Sequence, residues 1–233
     1  MKKLTKQDFL TPALLLALSL VPTLGGIARL ASLSGSAPAD ARFLQAPLPI
    51  VLHVVSATLY SLLGAFQFSS GVRSRWPGWH RRAGRWLALS GLLAGATGFW
   101  MTACYPIPTS LQGPLLYGVR LAVSSAMVAS LLIAWRSILH RDVPRHEAFM
   151  IRAYALGQGA GTQVLVLLPW MLLSGESGGL TRDVLMTLSW LLNLLVAEAI
   201  VRSRAARRTP RSERQRRSGL VTTAPRAAPA VAP

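Results

Sequence analysis

Six apolar runs, each close to twenty residues long, constrain this chain more than any other feature. They lie at about Phe9 to Leu30, Leu48 to Phe68, Trp86 to Cys104, Leu115 to Trp135, Met150 to Leu173 and Val184 to Val201, separated by segments rich in charge, Pro and Gly. A hydrocarbon core of about 30 Å takes roughly 20 helical residues to cross, so each run has the length of a transmembrane helix. A membrane strand would be about ten residues of alternating character, and none of the runs alternates. The composition agrees, with 52% hydrophobic and only 14% charged residues over 233 positions. The expected fold class is therefore all-α: a polytopic transmembrane helix bundle of about six spans.

The formal net charge of +17 would suggest nucleic acid in a water-soluble chain. Here the basic residues fall almost wholly in alternate gaps and in the C-terminal tail. Lys2, Lys3, Lys6, Arg73, Arg75, Arg81, Arg82, Arg85, Arg136, Arg141, Arg145, Arg152 and the arginines from Arg202 onward belong to one side. The other side has only Arg29, Arg42 and Arg182, with Arg120 inside a span. The positive-inside rule places the basic loops and both termini in the cytoplasm of a bacterial inner membrane, which requires an even number of spans. A competing expectation treats Met1 to Asp8 as the basic region of a signal peptide, with Ala37-Pro38-Ala39 as a cleavage site; the first apolar run is long for that.

From Arg202 to Pro233 the composition turns to Arg, Ser, Thr, Pro and Ala, too polar to bury a core, and a disordered cytoplasmic tail is expected. Anionic lipid headgroups are the natural partners of this tail and of the basic loops, at about 1 kcal/mol per arginine near the surface. Nucleic acid is not expected, because the tail lacks aromatic residues for stacking bases. Cys104 is the only cysteine, which excludes an intrachain disulfide or a thiolate cluster.

Inside a bilayer the informative residues are the polar ones, which are costly there and face the bundle interior. His53, Tyr60 and Gln67 recur every seven residues on the second span and share one helical face. The fifth span holds Gln158 and Gln163 within Ala153-Tyr154-Ala155-Leu156-Gly157-Gln158-Gly159-Ala160-Gly161-Thr162-Gln163, where small residues allow close backbone approach, as do Gly91 and Gly95 on the third. Asn193 lies mid-span on the sixth and Glu198 near its end, where an arginine such as Arg85 or Arg152 is within reach. Arg120, in the outer part of the fourth span, must snorkel, meet an acid or bind an anion. These eight residues are the candidate ligand-binding set. His80 and His146 open the third and fifth spans on the same side and are the candidate metal ligands, for haem b or a divalent ion. No phosphate loop, zincin pair or nucleophile elbow is present, so no catalytic residue is assigned.

At these positions the chain resembles the bacterial multi-pass membrane proteins of domain-of-unknown-function family 2306. The resemblance rests on His53 with Gly64 and Gln67-Phe68, then Arg75-x-Pro77-x-x-His80-Arg81-x-x-Gly84-Arg85. It continues through Arg145-His146-x-x-x-Met150-Ile151-Arg152-x-Tyr154-Ala155 and Trp190-Leu191-x-Asn193-Leu194-x-x-Ala197-Glu198, from about Pro47 to Arg202. Trp86 departs from the tyrosine common after the Gly-Arg pair. The resemblance implies a helical inner-membrane protein and assigns no reaction. Three functions stay open at this level: a polar intrabundle site for a small ligand, lipid or proton; a b-type haem protein using His80 with His146, or His53 with a partner near the outer side; and a structural or assembly protein without a ligand.

Overall fold

The computed structural model describes residues 6–35, 40–175 and 178–208. The order of elements is α1 (Lys6–Leu33), α2 (Ala41–Gln45), α3 (Pro47–Ala65) with a 3₁₀ turn at Phe66–Phe68, α4 (Ser70–Arg75), α5 (Pro77–Cys104), α6 (Pro114–Leu139), α7 (Val143–Gly157), α8 (Gly159–Ser174) and α9 (Gly179–Arg208). No strand occurs among the described residues. Six segments are long and apolar enough to cross a membrane, α7 and α8 together forming the fifth. The cleavage-site residues Ala37 to Ala39 and the tail from residue 209 onward lie outside the described residues.

Several helices begin where the sequence supplies proline. Pro47, Pro77 and Pro114 open α3, α5 and α6, and Pro144 sits in the first turn of α7, where a missing N–H costs nothing and the fixed φ suits the helix. α5 thereby starts at Pro77 rather than Trp86 and takes His80 into its first turn. At the other end of the chain α9 runs to Arg208, seven residues past the expected boundary at Val201. The extension is held by Glu147 of α7, which accepts hydrogen bonds from Arg204 and Arg208.

Burial in this molecule is arranged around polar and small residues, because its outside is greasy. Leu172, Leu173, Leu180, Leu195 and Trp86 are among many exposed large apolar side chains, which is the surface a lipid environment requires. The interior cluster is Tyr60, Leu87, Ala94, Met127, Leu131, Ala153, Tyr154 and Leu156, drawn from α3, α5, α6 and α7. Glycines set the helix spacing. A Cβ on Gly91 would lie 2.7 Å from Tyr60, one on Gly64 2.6 Å from Tyr154, and one on Gly95 2.8 Å from Val128. Each aromatic ring thus lies in a slot cut by a glycine on the facing helix, the packing role expected for Gly91 and Gly95.

Candidate functional site

The centre of the bundle contains a cavity of about 240 Å³ lined by α1, α3, α5, α6, α9 and the α7–α8 junction. Its polar lining groups include His53, Tyr60, Ser124 and Gln158, and among the described residues no Lys, Arg, Asp or Glu lines it.

The α7–α8 junction is the structural cause. The fifth span is expected as one helix, but the low-propensity run Gly157-Gln158-Gly159 interrupts it at Gln158. Carbonyls freed by such an interruption must find donors in a medium without water. Trp190 Nε1 donates to Leu156 O at 3.2 Å and Asn193 Nδ2 to Ala155 O at 3.0 Å. Asn193 Oδ1 in turn accepts from Thr162 Oγ1 at 2.8 Å. α9 therefore splints the broken span, and the close approach of Trp190 to Gly159 and of Leu18 to Gly161 leaves no room for a Cβ at either glycine.

The interruption places Gln158 on the cavity wall. Its Oε1 accepts from the Ser19 hydroxyl of α1 at 3.1 Å, and the amide also meets the Tyr154 hydroxyl. Tyr60 Oη, from α3, is buried and has no partner among the described residues. Its ring is fixed between Gly91 and Gly157, where an added Cβ would lie 3.0 Å away on the latter. His53 Nδ1 is 3.0 Å from Ala94 O and 3.1 Å from Thr97 Oγ1. A carbonyl can only accept, so the neutral ring holds its proton on Nδ1, and Nε2 is left with a lone pair. Tyr60, Gln158 and His53 thus border one cavity whose described lining is uncharged.

The remaining candidates lie elsewhere. Asn193 and Gln163 do not line the cavity; Asn193 is spent on the helix break, and Gln163 is buried with Nε2 unpartnered. Glu198 accepts from Arg152 Nε at 2.5 Å and Nη2 at 3.1 Å, the loop pairing that its position suggested. Arg120 donates through Nη1 to Gln112 Oε1 at 2.6 Å, near the end of the bundle opposite the arginine loops. Gln67 faces Gly84 of α5, four residues from His80 on that helix, and its Nε2 has no partner. The His53–Tyr60–Gln67 stripe accordingly serves two places, the cavity and the histidine end. There His146 Nδ1 donates to Ala134 O at 2.9 Å, and His80 Nδ1 is buried without a partner among the described residues. No second histidine lines the cavity around His53.

Sequence reasoning missed the cavity's other walls. Ser19, Pro22, Thr23 and Gly26 of α1, Ser124 and Met127 of α6, and Trp190 of α9 line it. The glycine run flanking Gln158 was the available signal, since a Gly-interrupted span commonly marks an intramembrane site.

This arrangement can be set beside known proteins. A family model described as "Predicted membrane protein (DUF2306)" matches residues 50–201. The chain belongs to this family. The match covers α3 through most of α9 and leaves out α1, although α1 supplies one wall of the cavity. No curated protein and no solved structure matches the chain.

Proposed function

We propose that this DUF2306 protein is a bacterial inner-membrane protein, with both termini in the cytoplasm, that binds a small uncharged lipid-soluble molecule in the cavity at the α7–α8 break. The observation that carries the reading is that Tyr60, whose buried Oη has no partner among the described residues, lines one cavity together with His53 and Gln158. Leaving that donor unmet costs about 1–3 kcal/mol, a penalty that a ligand oxygen removes. The absence of charged lining residues argues for a neutral ligand, because an ion would enter without compensation. The free lone pair of His53 argues that the ligand also offers a hydrogen, as a hydroxyl or phenol does.

The test is mass analysis of molecules extracted from the full-length protein after purification in mild detergent. The wild type is expected to carry a neutral ligand in near-stoichiometric amount, and Tyr60→Phe with Gln158→Leu to lose it. Equal recovery from both proteins would sink the proposal. Normal stability and function of the double variant would favour an assembly role without a ligand.

A second reading is favoured by one observation: His146 has its Nδ1 committed to Ala134 O, which leaves Nε2 to bind metal, and His80, at the same end of the bundle, lacks a partner at Nδ1 among the described residues. Such a pair can hold haem iron or a divalent ion. Protein from a haem-replete host with a Soret band that His146→Ala abolishes would establish this reading; a colourless, metal-free preparation would end it.

A further inference from the structure

One wall of the central cavity differs from the others. Ser19, Pro22, Thr23 and Gly26 of α1 line it on a single helical face, yet α1 is the least buried of the six spans. It packs against α3 on one side and α8 on the other, while α3 and α8 share almost no contact with each other among the described residues. Among those residues, then, α1 is what separates the cavity from the surrounding lipid on that side.

The grip of α1 on the bundle is uneven along its length. At the end near the arginine loops Asp8 accepts from Ser70 Oγ at 2.5 Å and from Gly71 N at 2.8 Å, where it receives the start of α4. At the other end Arg29 lies 4.9 Å from the ring centroid of Phe43, and Leu30 and Leu33 pack against the cluster of Phe43, Ile50, Val54 and Tyr105. Between these anchors, beside the cavity, the contacts are small. Gly26 meets the Val54 side chain, and Ser19 reaches Gln158 through one hydroxyl. Pro22 supplies no N–H to Leu18 O one turn earlier, and that carbonyl rests against Gly161 of α8, where only a weak C–H···O contact is available. A helix pinned at both ends and missing a rung in its middle bends most easily at the missing rung.

The two ends of the bundle are better packed among the described residues. Toward the arginine loops Tyr154 of α7 fills the slot of Gly64, and its hydroxyl donates to Ser61 O at 2.6 Å. Toward the opposite end the Phe43 cluster begins at Val54, itself a lining residue, and continues to Ile50 one turn nearer that end. Asp183 there ties α9 to the start of α6, accepting from Gly113 N and Leu116 N at 3.1 Å each.

We propose that α1 is a lateral gate: its middle, around Pro22, swings from α3 and α8 to admit molecules dissolved in the bilayer, and its anchored ends bring it back. This rests on the reading of the cavity as a binding site, and it adds that what binds arrives from lipid rather than from water.

A Cβ on Gly26 would lie 3.8 Å from Val54 Cβ, within the roughly 3.5–4.5 Å that a disulfide spans, so Gly26→Cys with Val54→Cys can staple α1 to α3 beside the cavity. In a Cys104→Ser background, Ser124→Cys on the α6 wall serves as reporter, read by peptide mass analysis of full-length protein in membrane vesicles. Neutral N-phenylmaleimide, which partitions into lipid, should label the reporter, and a charged methanethiosulfonate should not do so from either face. Forming the disulfide should slow the maleimide reaction roughly tenfold, and reduction should restore it. Pro22→Ala, which returns the missing N–H and needs no disulfide, should slow labelling of the reporter several-fold. Failure of the maleimide to label the reduced protein, labelling by the charged reagent, or a rate unaffected by the formed disulfide or, should the staple not form, by Pro22→Ala would overturn the gate. Labelling needs no bound molecule, so an empty cavity in the ligand analysis would end the binding reading and leave this result standing.

Discussion

Tyr60 shows how one side chain can serve packing and recognition in opposite senses. Its ring fills a slot bounded by Gly91 and Gly157, while its hydroxyl, in the same buried place, has no partner. Removing only the oxygen separates the two roles. Tyr60→Phe should leave the ligand-free protein as stable as the wild type or more stable by about 1 kcal/mol, because an unmet donor disappears and the volume is kept. Thermal unfolding in detergent, before and after ligand extraction, measures this. A loss of 2 kcal/mol or more in the extracted protein would mean that the hydroxyl has a structural partner. Gly91→Val tests the packing role from the other side. Its side chain would meet Tyr60 and Leu131, and overpacking of this kind costs about 1–3 kcal/mol. A variant as stable as the wild type would show that the slot relaxes freely.

At the scale of elements, the α7–α8 break and the α9 residues across from it form one unit. Asn193→Leu strands Ala155 O and Thr162 Oγ1 together, and interhelical hydrogen bonds in membranes contribute about 0.6 kcal/mol each on average, up to about 1.7. The expected loss is therefore about 1–2 kcal/mol, with Thr162→Val adding little further once Asn193 is gone. A double-mutant cycle on unfolding in detergent checks the coupling, and strictly additive losses would show that the two residues act apart. This region also shows how far sequence carries the argument. The six apolar runs were plain because hydrocarbon thickness sets their length, and Arg152 with Glu198 were legible because opposite charges near one bundle end seek each other. α5 starts nine residues before the apolar run at Trp86, because proline favours a first turn and arginine is a good helix former even though both resemble loop residues in the sequence. Which polar residues share the cavity was illegible in part because it depends on helix rotation. His53, Tyr60 and Gln158 converge, whereas Asn193, in a comparable mid-span position, is consumed by a carbonyl that exists as a free acceptor only once the fifth span has broken.

For the whole molecule, the proposed orientation follows from where charge resides. Arg73 to Arg85, Arg136 to Arg152 and Arg202 to Arg208 all belong to the end where α3, α6 and α9 finish and α5 and α7 begin, and ion pairs from Arg152, Arg204 and Arg208 join α7 to α9 there. Moving such a set of guanidinium groups through hydrocarbon is costly, at about 2.5–3.5 kcal/mol for each near a helix centre on insertion scales, so the first side on which they appear keeps them. Cys104, the only cysteine, is exposed where α5 ends on the opposite side, and it reports orientation without any added label site. A membrane-impermeant maleimide applied to intact spheroplasts should modify Cys104. In a Cys104→Ser background, a cysteine placed by Ser203→Cys on the last turns of α9 should react only after the membrane is opened. The reverse pattern would invert the topology.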